Sequence, residues 1–281
     1  MAIRCVRSIK RSLTGLAPQK PTPTQPDVDM SNLTQLLRRE SRKSRRATTE
    51  DSSVSTILEN GDHYCGQVNS LGEFHGKGTY TWSEENSKVS RKISYSGDFK
   101  NNHEHGTGKV IFSDAAEFLG GWCQGRMHGQ GVYTTHGSER YDGQFSHGRR
   151  SGHGTCSYEN GSFYDGQWDN NFRSGKGVFF KRHPLSLENY SLVERYEGEF
   201  KQGQYHGKGR YIFEDGETYE GNWKMGKKHG RGVISYPRDG VTFEGMFEND
   251  LKHGKGRYVF ADGQIQYGIY REGQRLQCVQ K

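Results

Sequence analysis

A chain of 281 residues with 30% hydrophobic residues, a mean hydropathy of −1.00 and 39 glycines cannot wrap itself around a thick aliphatic core, yet 12% aromatic content is too high for a disordered polymer. The net charge of +7 belongs to one end: residues 1–46 hold eleven Lys and Arg against three Asp and Glu, and the remainder 29 against 30. The bulk of the chain therefore lacks the basic face that nucleic-acid binding needs, and no apolar run approaches the ~18 residues of a membrane span.

Residues 1–26 contain no acidic residue. Arg4, Arg7, Lys10 and Arg11 alternate with Ile3, Val6, Ile9, Leu13 and Leu16. Two readings stand: a transit peptide or basic membrane-surface helix, or an unstructured basic segment. Pro18, Pro21, Pro23 and Pro26 end any helix there. Further on, Ser31 is placed to cap a short helix bearing Leu33, Leu36 and Leu37. Arginine pairs precede Ser41 (Arg38-Arg39) and Thr48 (Arg45-Arg46), so these hydroxyls are candidate sites for basic-directed kinases. Each phosphate would add about −1.5 to −2 charge. The same cluster suits an anionic-lipid contact through residues 1–46, a nuclear address, or a solvated linker.

Five cysteines (Cys5, Cys65, Cys123, Cys156 and Cys278), with no Cys-x-x-Cys pair, point to unpaired thiols in a reducing compartment.

From Tyr64 the chain repeats itself. Tyr196 opens YEGEFKQGQYHGKGRYIFEDGE, and Tyr219 opens YEGNWKMGKKHGRGVISYPRDG. The opening aromatic recurs at Tyr64, Tyr95, Phe118, Tyr141, Tyr164, Tyr196, Tyr219 and Phe243, in steps of 31, 23, 23, 23, 32, 23 and 24 residues. A ninth start at Gln266 keeps the glycine (Gly268) and the second aromatic (Tyr270) before the chain ends. Two longer steps place insertions around 83–94 and 181–195. Self-similarity at such a period marks a repeat architecture.

Each unit alternates apolar and polar residues with period two, before and after a Gly-x-Gly, so each reads as two strands with one covered face. Two strands joined by a glycine-bearing turn make a hairpin. Asn160-Gly161, Asp215-Gly216, Asp239-Gly240 and Asp262-Gly263 suit the return turns. The glycine two after each start leaves room for a neighbouring strand's aromatic ring over its backbone. The predicted fold is all-β: an elongated, curved, single-layer antiparallel sheet of tandem β-hairpins over residues 58–281, behind a disordered basic tail of residues 1–57. At ~4.8 Å per strand, equivalent positions on successive hairpins lie about 10 Å apart.

The pattern Tyr-x-Gly-x-Trp/Phe, then His-Gly-x-Gly, then a turn glycine resembles the MORN (membrane occupation and recognition nexus) repeat. It covers about residues 64–273, as eight copies and a partial ninth. Departures are small: Ser151-Gly152 and Ser174-Gly175 replace His-Gly, and one extra residue precedes His75. The resemblance implies a curved hairpin sheet that holds partners, in cilia and flagella, cytoskeletal attachments, cell junctions or membrane-apposed scaffolds. Some such proteins bind a peptide on the aromatic concave face, and some associate end to end.

His75, His105, His128, His206, His229 and His253 recur at one position. At about 10 Å intervals they are too far apart to share an ion held at ~2.0–2.1 Å, so they read as turn residues that pack and hydrogen-bond locally. The lysine in His206–Gly209 is not followed by a helix pattern, which argues against a phosphate loop. No nucleophile–base pair stands out, so no catalytic residue, cofactor or metal is assigned. The candidate partner-binding residues are the aromatic row Tyr95, Phe99, Phe118, Trp122, Tyr141, Phe145, Tyr164, Trp168, Tyr196, Phe200, Tyr219, Trp223, Phe243 and Phe247. Part of this row is expected to stay exposed and to anchor a helix or extended peptide. The leading expectation is a non-catalytic scaffold in a ciliary or other cytoskeletal assembly. A membrane adaptor tethered by its tail and an accessory subunit of an enzyme are the alternatives, and unpaired strand edges allow end-to-end self-association.

Overall fold

A computed structural model describes residues 52–182 and 193–279. They contain nineteen strands and one short helix and divide into two compact units. One holds residues up to Glu159 with Asp169–Asn171; the other holds Asn160–Trp168 and Phe172 onward. The first unit runs β1 (Ser52–Ile57), β2 (His63–Val68), β3 (Phe74–Thr81), α1 (Glu84–Ser90), β4 (Lys92–Lys100), β5 (His103–Phe112), β6 (Glu117–Cys123), β7 (Arg126–Thr134), β8 (Arg140–Ser146) and β9 (Arg149–Ser157). The second runs β10 (Phe163–Asp169), β11 (Phe172–Arg182), β12 (Val193–Lys201), β13 (Gln204–Ile212), β14 (Thr218–Lys224), β15 (Lys227–Tyr236), β16 (Val241–Glu248), β17 (Leu251–Val259), β18 (Ile265–Arg271) and β19 (Gln274–Val279). Within each unit the strands form an antiparallel meander of tandem hairpins, as the alternation predicts.

The residues after Lys201 show how each hairpin closes. Gln202 and Gly203 take φ of 50° and 79°, the signature of a type I′ turn, whose twist matches that of the flanking strands. Asn101-Asn102, Gln124-Gly125, Met225-Gly226, Asn249-Asp250 and Glu272-Gly273 do the same. The hairpin turn therefore precedes the His-Gly-x-Gly, which lies inside the second strand. The recurrent histidines are strand residues, not the turn residues expected from the sequence.

Within β13 that motif makes a bulge. Gly198 pairs with Gly209, but Glu199 pairs with His206. Gly207 supplies the positive φ of 55°, and Glu199 Oε1 accepts the freed Lys208 N–H at 3.0 Å. Gln67, Asp98, Gln144 and Gln167 cap the same N–H in other repeats. The Asp-Gly return loops fall where expected: Phe213 N–H donates to Glu217 O, and Gly216 N–H to Phe213 O.

Turn tips also stitch neighbouring hairpins together. Gly203 N–H donates to Arg173 O, Gly226 N–H to Tyr205 O, and Gly273 N–H to Lys252 O. Where the second turn residue is Asn or Asp, its side chain adds a reciprocal bond: Asn102 Oδ1 accepts from Phe74 N–H at 2.8 Å, and Asp250 Oδ1 from Lys228 N–H at 2.8 Å. Asn102→Gly, which keeps the left-handed backbone and loses only this acceptor, is expected to cost about 1 kcal/mol. Asn102→Ala adds the strain of φ 66°, for about 2 kcal/mol in total. Urea titration of the two variants beside the parent checks the order.

Three boundaries differ from the sequence reading. The sheet starts at Ser52, not 58, because β1 pairs along β2 from Ser52↔Val68 to Ile57↔His63. Its alternating Val54 and Thr56 are strand residues that the polar surroundings disguise. The ninth hairpin is complete: β19 pairs with β18 through Cys278↔Gly268 and Arg275↔Tyr270. The first insertion is the helix α1, not a loop: Ser83 Oγ accepts Asn86 N–H at 3.4 Å, Glu84 and Glu85 occupy the first turn, and Arg91 caps the end at φ 59°. Residues 183–192 of the second insertion, the basic tail, Ser41 and Thr48 lie outside the described residues.

Candidate functional site

A glycine stripe positions the aromatic row. Gly198, Gly209, Gly221 and Gly232 pair across consecutive strands, and a tyrosine ring lies over each pair. Tyr196 OH donates to Glu199 O at 2.8 Å and meets His206 O at 3.2 Å. Flattened on the strand, each ring presents its face to an edge from the aromatic four residues on. Tyr196 contacts Phe200 at 5.1 Å and Trp223 of the following hairpin at 5.4 Å, at 85° and 89°. Tyr219 then contacts Trp223 and Phe247, and Phe243 contacts Phe247 and Tyr270. Tyr164 likewise contacts Trp168 and Phe200. The first unit repeats the pattern through Tyr95, Phe99, Trp122, Phe118, Phe145 and Tyr141. Each edge-to-face pair adds about 0.5–1.5 kcal/mol beyond the area it buries. Trp122 and Trp223 donate their indole N–H to Gly108 O and Gly209 O.

This ladder uses up the surface expected to receive a partner. None of the candidate aromatics from Tyr95 to Phe247 is more than 5% exposed. The expectation that part of the row stays open does not hold. The bare glycines let each tyrosine lie flat, and the next hairpin closes over it. Burial pushes the phenols of Tyr64, Tyr95, Tyr196 and Tyr219 well above their ordinary range.

A second row, which sequence reasoning missed, lies against these rings. It is the residue immediately before the His/Ser-Gly of each repeat. In the first unit it includes Phe74, Glu104, Met127 and Arg150, all buried. Its charges there are paired, Glu104 with Lys92 at 2.6 Å and Arg150 with Glu139 at 2.8 Å. In the second unit it is Arg173, Tyr205, Lys228 and Lys252. The Arg173 guanidinium stands 4.6 Å from the Phe179 ring centroid and 5.5 Å from that of Phe200. Lys228 Nζ lies 5.4 Å from Phe213 and 5.8 Å from Tyr219. Lys252 Nζ lies 4.6 Å from Phe243 and 4.7 Å from Tyr258. The signal was present in the alternation: Lys228 and Lys252 occupy inward positions of β15 and β17, where an apolar residue is the norm.

Cys156 is buried. Desolvation pushes its thiol up to about 12, against the lowering effect of Arg150. Cys65 and Cys123 are exposed. Maleimide at neutral pH is therefore expected to label both at least about 100-fold faster than Cys156, as read by peptide mass spectrometry. Comparable rates would show that the strand carrying Cys156 opens readily.

Among the described residues no group of three His, Cys, Asp or Glu side chains comes together to hold a metal, and no helix is long and apolar enough to cross a membrane.

A family model described as the MORN repeat matches residues 64–87, 95–115, 118–136, 141–163, 164–181, 196–218, 219–241 and 243–265. No curated protein matches the chain. Two solved structures are similar at low identity. One is the TCP domain of Drosophila melanogaster SAS-4 (dCPAP) in complex with a proline-rich motif of Ana2 (dSTIL), 10% identical over 59% of this chain and 85% of that one, at a TM-score of 0.35. The other is the G-box domain of the microcephaly protein CPAP, 8% identical over 78% of this chain and 100% of that one, at a TM-score of 0.37.

Proposed function

The chain belongs to the MORN-repeat family, and on that premise we propose that it is a non-catalytic scaffold whose repeat sheet holds segments of partner proteins. A ciliary or flagellar assembly, or another part of the cytoskeleton, is the setting that family membership supports. The observation that carries the reading is register. Glycines pair with glycines across consecutive strands, from Gly198↔Gly209 and Gly209↔Gly221 to Gly256↔Gly268, so each residue type recurs at one level of every hairpin. A segment laid across the strands of a unit meets an equivalent contact about every 10 Å.

With the aromatic rings committed to the ladder and most of the row over them buried as well, the contacts fall to the exposed strand faces. The basic residues 1–46 serve in this reading as a tether or a regulatory segment, with Ser41 and Thr48 as phosphorylation sites and anionic lipid as a further contact. End-to-end association of two copies through terminal strand edges belongs to the same reading, and predicts a concentration-dependent dimer in sedimentation velocity.

The test is localisation of the tagged full chain and of a chain lacking residues 1–51 in ciliated cells. Both are expected on the axoneme or another filament system. If both are diffuse, the scaffold reading fails. If only the full chain localises, and on a membrane, the tail is the address and the membrane-adaptor alternative replaces it.

A further inference from the structure

The sheet has a second face, opposite the rings, and in the second unit that face carries an open row of cations. A ring lies over Gly177, Gly209, Gly232 and Gly256, so the residue before each of these glycines points to the other side. Those residues are Lys176, Lys208, Arg231 and Lys255. All four are exposed, and among the described residues none forms an ion pair. Lys208, Arg231 and Lys255 face the uncharged Asn222, Met246 and Ile269 across the strand pair. Lys176 faces Glu199, whose Oε1 is spent on the Lys208 backbone N–H. In the first unit the same position holds Lys77, paired with Asp98 at 2.6 Å, and then Thr107, Gln130 and His153.

The row is one side chain wide. Its members sit on alternate strands, about 10 Å apart, and span about 29 Å from β11 to β17. At that spacing, beyond the Debye length of about 8 Å in physiological salt, the cations repel one another little. Two residues along each strand, about 7 Å away, runs a second row whose carboxylates have cations beside them. Glu197 pairs with Arg195 at 2.8 Å, Glu244 pairs with Arg257 at 2.7 Å, and Glu220 lies opposite Arg210. A bilayer or a nucleic-acid duplex broad enough to cover the four cations would press on these carboxylates as well. A single chain laid along the row meets the cations alone.

We infer that this outer row of the second unit, Lys176, Lys208, Arg231 and Lys255, binds an extended acidic segment of a partner protein. The inference rests on the scaffold reading and gives it a face and a partner chemistry. Charge and spacing together name the occupant. A polyproline-II segment advances ~3.1 Å per residue with three residues per turn, so side chains three apart share one side at about 9 Å. A carboxylate at every third position therefore comes level with successive cations. Between them the segment passes over Asn222 and Met246, which carry no charge. A β-strand, whose same-side residues lie about 7 Å apart, falls out of step with the row. Exposed ion pairs are individually weak, so affinity depends on engaging several cations at once, and the long lysine and arginine stems let each charge reach the ligand.

The test uses the full chain and a fluorescein-labelled peptide of twelve residues, Glu-Ala-Pro repeated four times. Beside it stand its Gln counterpart and a peptide of the same composition with the four Glu consecutive. Fluorescence anisotropy at physiological ionic strength is expected to show the spaced Glu peptide binding at least tenfold tighter than the Gln peptide, and tighter than the clustered one. The Lys208→Gln/Arg231→Gln/Lys255→Gln variant is expected to lose that margin. The Lys100→Gln/Lys109→Gln/Arg140→Gln variant, which removes equal charge from exposed positions of the first unit, is expected to keep it. Both variants should melt with the parent, which separates a lost site from a lost fold. If the first variant binds as the parent does, if both lose affinity alike, or if affinity falls only when Arg38, Arg39, Arg45 and Arg46 are changed to Gln, the assignment fails. It fails too if the clustered peptide binds as tightly as the spaced one. If phosphatidylserine vesicles or a single-stranded oligothymidylate, but not the peptide, bind through the row, the partner is not a protein segment and the inference is overturned. Failure here with correct localisation of the chain lacking residues 1–51 leaves the scaffold reading standing, because localisation does not depend on which face or charge holds the partner.

Discussion

Gly198→Ala is expected to destabilise the second unit by about 3 kcal/mol or more. A methyl group at this position would lie 2.5 Å from Gly209 Cα and 2.6 Å from Tyr196 OH. Neither neighbour has room to yield. The first is the backbone of the paired strand. The second is a buried phenol, held by Glu199 O and boxed in by Phe200, Trp223 and Tyr205. Relief requires either parting β12 from β13 or lifting Tyr196 off the stripe, and lifting it breaks the ladder to the next hairpin. Gly226→Ala is the control. A methyl group there meets nothing within 4 Å, and only the turn φ of 80° is strained, so it should cost about 1 kcal/mol. In a repeat array the damage is felt first by neighbouring units, so hydrogen exchange should show protection lost across β12–β14 before the global transition moves. Equal costs for the two alanines would mean that the stripe is not held by close approach.

Much of this architecture was legible before any coordinates. The period of 23 residues, the two alternating runs and the glycine two after each opening aromatic specify hairpins and put a ring over Gly198, though that ring is Tyr196 of its own strand and not one from a neighbouring strand. What escaped notice did so for identifiable reasons. The type I′ turns share no sequence: Asn101-Asn102, Gln124-Gly125, Met225-Gly226 and Asn249-Asp250 are united only by positive φ at both residues. The glycine-dense His-Gly-x-Gly drew the turn towards itself, though it encodes a bulge. Alternation assigned the aromatics to one face correctly, but a period cannot say how far a ring is covered. That depends on the neighbouring hairpin and on the glycine beneath. The inward cations were hidden because Lys228 and Lys252 stand beside another lysine or a leucine and just before a histidine, in a stretch that reads as a polar strand end. Reading inward positions strictly by period two, and asking what pairs with each charge found there, would have exposed them.

Those cations make stability depend on pH in a direction opposite to that of an ordinary salt bridge. Burial, with repulsion from Lys228, brings Lys252 down from 10.5 to about 8, and Lys228 is shifted the same way. Above pH 8 the folded chain has released the Lys252 proton, while the unfolded chain keeps it until about 10.5. The unfolded state then binds more protons, so stability rises with pH across this window, by up to about 3 kcal/mol at 1.36 kcal/mol per unit. The buried tyrosines set the upper limit. Their folded-state values lie above the ordinary 10, so their stabilisation is complete below pH 10 and declines as the unfolded phenols ionise above it. Urea titrations at pH 7, 8, 9 and 10 should therefore show a climb that turns over near the top of the range. Lys252→Met should remove most of the climb, raise stability at pH 7 by about 1–3 kcal/mol, and leave the alkaline decline in place. A flat profile in the parent, or a Met variant less stable at pH 7, would mean that Lys252 is already satisfied in the folded chain, leaving no charge in want of a partner.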